Sequence, residues 1–213
     1  MLAGLIRGRA VLVAPGSWPA EERSKLAATH AWWSELVAMD ASLDTGDLAT
    51  AEKIAETWRK EAVAPNRATR LSRLARYQDK MDVAEAESQK ALASGATLRA
   101  LYERVLVLVA SKRFDEATSL LAKNPAPLGP YATWLSAYVV AKAGKIEEAR
   151  ARIEALEAPS DAAPFPIRML ALTSAASMRD TKRGTAIIRS MIKEKIINPD
   201  TRTAAHDLHM PSL

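Results

Sequence analysis

An all-α fold is predicted, built of about five helix–turn–helix hairpins. Three observations predict it. Glycine (8) and phenylalanine (2) are few in 213 residues while Ala, Leu, Glu, Lys and Arg abound, a composition that favours helix over strand. Apolar residues recur at spacings of three and four, the signature of an amphipathic helix. Short polar breaks interrupt these stripes at a nearly fixed interval, and a fixed period is the mark of stacked repeats rather than of an ordinary helical bundle.

The best-formed hairpin lies at residues 137–156, A-Y-V-V-A-K-A-G-K-I-E-E-A-R-A-R-I-E-A-L. Its Gly144-Lys145 break lets the chain reverse, because glycine tolerates φ > 0. Ala149 is small enough to let the second helix lie close to the first. Lys112-Arg113-Phe114-Asp115-Glu116-Ala117 matches Gly144-Lys145-Ile146-Glu147-Glu148-Ala149 position for position, 32 residues earlier. Asp79-Lys80-Met81-Asp82-Val83-Ala84 and Gly46-Asp47-Leu48-Ala49-Thr50-Ala51 follow at steps of 33. A weaker copy, Arg179-Asp180-Thr181-Lys182-Arg183-Gly184, comes 35 residues after Gly144.

Each break is expected to separate two helices that face one another. Leu71, Leu74 and Ala75 precede the second break; Val105, Leu108 and Val109 the third; Leu135, Tyr138 and Val139 the fourth. Ile54 and Trp58, Leu92, Leu120 and Leu121, Ile153 and Leu156, and Ile187, Ile188 and Met191 supply the partner stripes. Pro65, Pro130, Pro164 and Pro166 sit near helix starts, where a missing N–H costs little. Ser94-Gly95 closes the second hairpin and Asn198-Pro199 the fifth. Ser17-Trp18-Pro19 opens a long first helix running to about Leu43, with Ser17 as its cap. The expected division is an N-terminal arm or capping helix at 1–16, repeats near 17–62, 65–94, 97–124, 130–158 and 164–198 within a domain at 17–199, and a C-terminal cap at 200–213. End caps are needed because each repeat buries only one face on its neighbour.

Composition excludes several classes. There is no cysteine, hence no disulfide, thiol nucleophile or cysteine-held zinc. No apolar run of membrane-spanning length is free of charge. Residues 1–13 are apolar but interrupted by Arg7 and Arg9, unlike a secretory leader, so a cytoplasmic protein is expected. No Gly-rich phosphate loop, G-x-S-x-G or H-E-x-x-H is present. Glu147-Glu148 and Asp115-Glu116 are first-turn acids that complement the helix dipole, and His206 with His209, which would need a third ligand from elsewhere to hold a metal, read as polar residues of the C-terminal tail. No enzyme, metal or cofactor is expected.

The period and the turns resemble those of the tetratricopeptide repeat family, whose period is about 34 residues and whose Gly-Asp-Tyr-x-x-Ala turn each break approximates. The family's glycine is kept at two of the five breaks, so the repeats are degenerate. The resemblance implies a right-handed α-solenoid of antiparallel hairpins whose first helices line a concave groove. It also implies a non-enzymatic interaction module, scaffold or adaptor that holds a peptide or helix of a partner protein in that groove. Carried onto this chain, the groove-facing positions include Arg73, Arg76 and Tyr77; Arg99 and Tyr102; and Tyr131, Trp134, Tyr138 and Lys142. Tyr102, Tyr131, Trp134 and Tyr138 would supply apolar anchors, while Arg73, Arg76, Arg99 and Lys142 would orient an acidic element. A one-residue register shift turns such aromatics by about 100° into the hairpin core instead.

The row Arg67, Arg70, Arg73, Arg76 occupies one broad side of a helix with no acid between its members. It suits an acidic peptide, a carboxylate or a phosphate. Alternatively it pairs with acids of the first repeat such as Glu52, Glu56 or Glu61, since residues 31–64 carry seven acids against three bases. The paired asparagines of the family's carboxylate-clamping subclass are absent. A narrower similarity, of Met191 to Asp200 to the end of a pentatricopeptide repeat, together with a pI near 9.5, raises RNA binding as an alternative. The match covers one repeat only, which argues against nucleic acid. A self-assembling structural role is the remaining alternative, with the groove filled by the chain's own N-terminal arm or by a second copy.

Overall fold

The computed structural model describes residues 31–60, 65–95, 97–124, 131–154, 156 and 165–210, and these are all-helical, with eleven helices and no strand. The helices are α1 (Ala31–Thr45), α2 (Leu48–Arg59), α3 (Pro65–Tyr77), α4 (Met81–Ala93), α5 (Leu98–Ala110), α6 (Phe114–Lys123), α7 (Tyr131–Lys142), α8 (Ile146–Ile153), α9 (Phe165–Ser177), α10 (Thr181–Lys193) and α11 (Pro199–Asp207). The expected N-terminal arm and the start of the long first helix lie outside the described residues.

All five break residues take positive φ: Gly46 (75°), Asp79 (59°), Lys112 (59°), Gly144 (86°) and Arg179 (55°). At each, the N–H of the next residue reaches a carbonyl five residues earlier: 47 to 42, 80 to 75, 113 to 108, 145 to 140 and 180 to 175. This is the bond that satisfies orphan carbonyls at a helix end closed by a left-handed residue. The next helix then starts at once, and Asp47 and Asp180 accept from the backbone N–H groups of Thr50 and Arg183. A further turn of the same kind, which the sequence reading does not mark, closes α11. There His209 has φ 55° and the Met210 N–H bonds to the Ala205 carbonyl.

The turn chemistry makes a test. Left-handed backbone costs a non-glycine residue about 1–2 kcal/mol. Lys112→Gly should therefore raise stability by about 0.5–1 kcal/mol. Gly144→Ala should lower it by about 1 kcal/mol through conformation alone, since a Cβ there meets nothing within 4 Å. Urea unfolding of the two variants reads both signs, and equal effects would refute the account.

Packing follows the turns. Helices joined by a break touch each other (α1 with α2, α3 with α4, α5 with α6, α7 with α8, α9 with α10), and every odd-numbered helix touches the next odd one. Ala51, Ala84, Ala117 and Ala149, each five residues after a break, are fully buried. Their small side chains set how closely the paired helices approach. Gly184 holds the equivalent place in the fifth copy because Leu208, following α11, leans onto it; a Cβ would lie 2.5 Å from Leu208 Cδ1. One core cluster runs from α5 to α11, and a second, around Met39, Leu43, Trp58 and Leu74, joins α1 to α3. Between them the seam is lined by small residues, including Ala68, Ala91 and Ala100. Among the described residues no helix is long and apolar enough to cross a membrane.

Candidate functional site

The arginine row on α3 is the base of the site. With a period of three residues the row turns by about 60° at each step, so Arg67, Arg70 and Arg73 reach α1 while Arg76 points away from it. Arg67 lies 3.1 Å from Glu35, Arg70 grips Asp40 through two bonds of 2.9 and 2.6 Å, and Arg73 lies 2.6 Å from Asp44. The acids of the first repeat that meet the row are thus on α1. Of the acids expected there on or just after α2, Glu52 instead accepts from Arg59 and Gln78. Arg73 and Arg76 also lie against the Tyr77 ring, 5.1 and 4.9 Å from its centroid.

Asp40 and Asp44 sit one turn apart on α1, both buried, and their environments drive their pKa values apart. Burial pushes Asp40 up, but the guanidiniums of Arg70 and Arg99 outweigh it and hold the carboxyl well below the usual carboxylate range. Burial dominates at Asp44, where Arg73 opposes it and the Asp40 charge adds to it, and the carboxyl is raised from 3.8 to about 6. The folded chain therefore holds a proton between about pH 4 and 6 that the unfolded chain has released. Stability from this group is complete below about pH 4 and falls as pH rises to about 6, by at most about 3 kcal/mol. Measured against Asp44→Asn by urea unfolding at pH 4 and pH 7, the wild type should lose stability on going to pH 7. A gain would reverse the assignment.

Arg76 closes the row with two acids. Its Nε donates to Glu103 at 3.0 Å from α5, and its Nη1 and Nη2 donate to Asp200 at 2.7 and 3.0 Å. The Tyr77 hydroxyl donates to the same Asp200 at 2.8 Å. Burial raises the Asp200 carboxyl, and Arg76 and Tyr77 more than offset this, holding it below its ordinary value. Asp200 stands in the first turn of α11, which Asn198 and Thr201 open with a reciprocal capping box. The strand of chain before it runs against the α1–α2 turn, where a Cβ on Gly46 would stand 2.7 Å from the Ile197 carbonyl. Gly46 thus serves both the positive φ and this close approach.

These helices wall a cavity of about 280 Å³. Asp40, Arg70, Arg73, Arg99, Glu103 and Asp200 bring charge to it; Leu98, Tyr102, Met169 and Leu170 line it with apolar surface. Arg99 differs from the other guanidiniums: its side chain is 38 % exposed, against 7 % for Arg70 and 16 % for Arg73. Arg99 Nη1 donates to both Asp40 oxygens at 3.0 Å.

Of the residues expected to share one surface, Arg73, Arg76, Tyr77, Arg99 and Tyr102 come together around this cavity or at its edge. Trp134 and Tyr138 are 5 % and 9 % exposed and belong to the main core cluster. Lys142 stands apart, 3.6 Å from Asp207, beside a second cavity that His206 and His209 also line. Tyr131 begins α7, but its side chain lies outside the described residues. Asp40, Asp44, Glu103 and Asp200 were absent from the expected site. Their one sequence signal is an acid at helical spacing, which does not say what it faces. Among the described residues no three His, Asp or Glu side chains are grouped to hold a metal ion.

No family model matches the chain, and neither a curated protein nor a solved structure does.

Proposed function

We propose that the chain is a non-enzymatic protein-interaction module of the tetratricopeptide-like kind. It is read as a right-handed α-solenoid whose odd-numbered helices present a concave groove to an acidic helical segment. One observation carries this reading. Arg76 and Tyr77, both expected to face the groove, receive the first-turn carboxylate of a helix 123–124 residues away in sequence. The face has the geometry to hold an acid at the start of a helix, with bidentate guanidinium contact and a hydroxyl behind it. A partner helix beginning with such an acid would make the same bonds once α11 is drawn aside.

A structural role is the second reading, in which α11 is the lasting occupant. The close approach of Ile197 to Gly46 supports it. The two separate in one experiment on the full chain. Asp200→Arg sets like charge against Arg76 and loosens α11. A synthetic peptide of residues 196–210 should then bind the variant and not the wild type, and Arg76→Glu added to the variant should abolish the binding. A helical, monomeric Asp200→Arg chain that ignores the peptide would leave the structural reading and sink the interaction one.

A further inference from the structure

The cavity itself has room and chemistry that neither α11 nor a partner helix uses. The charges around it are satisfied unequally. Arg70 donates from Nε and Nη2 to Asp40 and from Nη1 to the Asn66 carbonyl, so each of its nitrogens is engaged. Arg73 donates from Nη2 to Asp44 and from Nε to the Tyr77 hydroxyl. Arg99 is bonded through Nη1 alone. Among the described residues its Nε and Nη2 have no hydrogen-bond partner. These are the two nitrogens of one edge of the guanidinium, the edge that takes a carboxylate side-on through two parallel bonds.

Charge balance points the same way. Arg70, Asp40 and Arg99 form a chain of two cations around one buried anion, an excess of one positive charge at that end of the cavity. At the other side Glu103 and Asp200 share Arg76, an excess of one negative charge. One incoming carboxylate would neutralise the first group; a second carboxylate on the same molecule would meet the two acids. Beyond the charged edge the walls are Leu98, Tyr102, Met169 and Leu170. A volume of about 280 Å³ falls just below the usual range for pockets that enclose drug-sized ligands, about 300–1,000 Å³. It therefore suits a body of one or two rings, or a short branched chain.

We infer that this cavity is a binding site for a small organic monocarboxylate with an apolar body, its carboxylate held side-on by Arg99 Nε and Nη2. The apolar body packs between α5 and α9 against Leu98, Tyr102, Met169 and Leu170. The site needs α11 in place, because Asp200 forms part of the wall. A partner helix that displaced α11 would therefore open the site, but the two readings rest on different side chains, Arg99 here and Arg76 with Tyr77 there, and either can fail while the other stands.

The test uses the full chain and phenylacetate as probe, with 2-phenylethanol as the uncharged counterpart and benzylmalonate as the dianion. Binding is followed by the methyl NMR signals of Leu98, Met169 and Leu170 and by thermal unfolding. Phenylacetate should shift all three signals saturably and raise the unfolding temperature. The alcohol and the dianion should bind at least about tenfold more weakly, the scale of a charge-assisted bond lost or a repulsion gained. Arg99→Gln should reduce phenylacetate affinity by at least about tenfold and erase its advantage over the alcohol. Asp40 keeps Arg70 in that variant, and a wild-type circular dichroism spectrum checks the fold. Leu98→Trp, which fills the cavity and leaves Arg99, should abolish binding of all three probes. Absence of saturable shifts up to the solubility limit of phenylacetate overturns the inference. So does equal affinity for acid and alcohol, or binding that survives both variants unchanged.

Discussion

Replacing Arg76 by methionine is expected to destabilise the chain by about 3–5 kcal/mol. The substitution keeps most of the side-chain volume and removes the charge. It leaves the Glu103 side chain, 3 % exposed, without its cation, and takes three donors from Glu103 and Asp200 together. A buried carboxylate stripped of its partner either stays charged at high cost or takes up a proton. The loss should therefore shrink as the pH falls. A triple variant, Arg76→Met with Glu103→Gln and Asp200→Asn, should recover most of the loss, because a neutral set avoids the unpaired charge. Urea unfolding at pH 7 and pH 4.5 reads each part. A loss under about 1 kcal/mol, the scale of an exposed ion pair, would show that the cluster is solvated.

Trp134→Ala is expected to cost a similar amount, about 3–5 kcal/mol, for a different reason. Trp134 is 5 % exposed within the largest core cluster, and its carbonyl accepts from the buried Ser174 hydroxyl across to α9. Truncation leaves a void between α7 and α9 that their backbones cannot close without breaking that bond. The loss should be independent of pH, which separates it from the Arg76 effect. Phenylacetate affinity in the folded fraction should stay within about threefold of wild type, as Trp134 does not line the cavity.

The contrast between these two residues shows what the sequence could disclose. The turns were legible in advance because their requirement is local. A left-handed residue, an apolar residue two later and a small one five later are all read within one window, and φ values of 59–86° stand at the four such places; the weaker fifth copy, with Thr181 two after its break, turns the same way at 55°. The arginine row was legible as a row, since spacing of three needs no knowledge of the fold. Its counter-charges were not, because Asp40 and Asp200 lie 30 and 124 residues from the arginines they hold. Charge on a helix surface looks the same whether it meets water or another acid. The aromatics depended on register. Tyr77 and Tyr102 sit at the cavity or its edge, whereas Trp134 and Tyr138, at corresponding expected positions on α7, turn into the core. The α7 sequence YATWLSAYVVAK is apolar on nearly every side, so no stripe in it marks which side is covered.

Gly46 and Ile197 have a consequence for how the chain comes apart. A row of repeats that touch only their neighbours frays from its ends, each unit melting at its own free energy. Here the turn after α1 meets the chain leading into α11, and Asp200 fastens that same end to α3. Opening of one end of the described row is therefore coupled to opening of the other. Hydrogen exchange should find α2 and α10 protected to the same depth, with the Asp200→Arg chain losing that equality. The same tie should give folding a late step, because it must bring together segments about 120 residues apart, at the entropic cost of closing so long a loop. Once made, it converts many small thresholds into a single one.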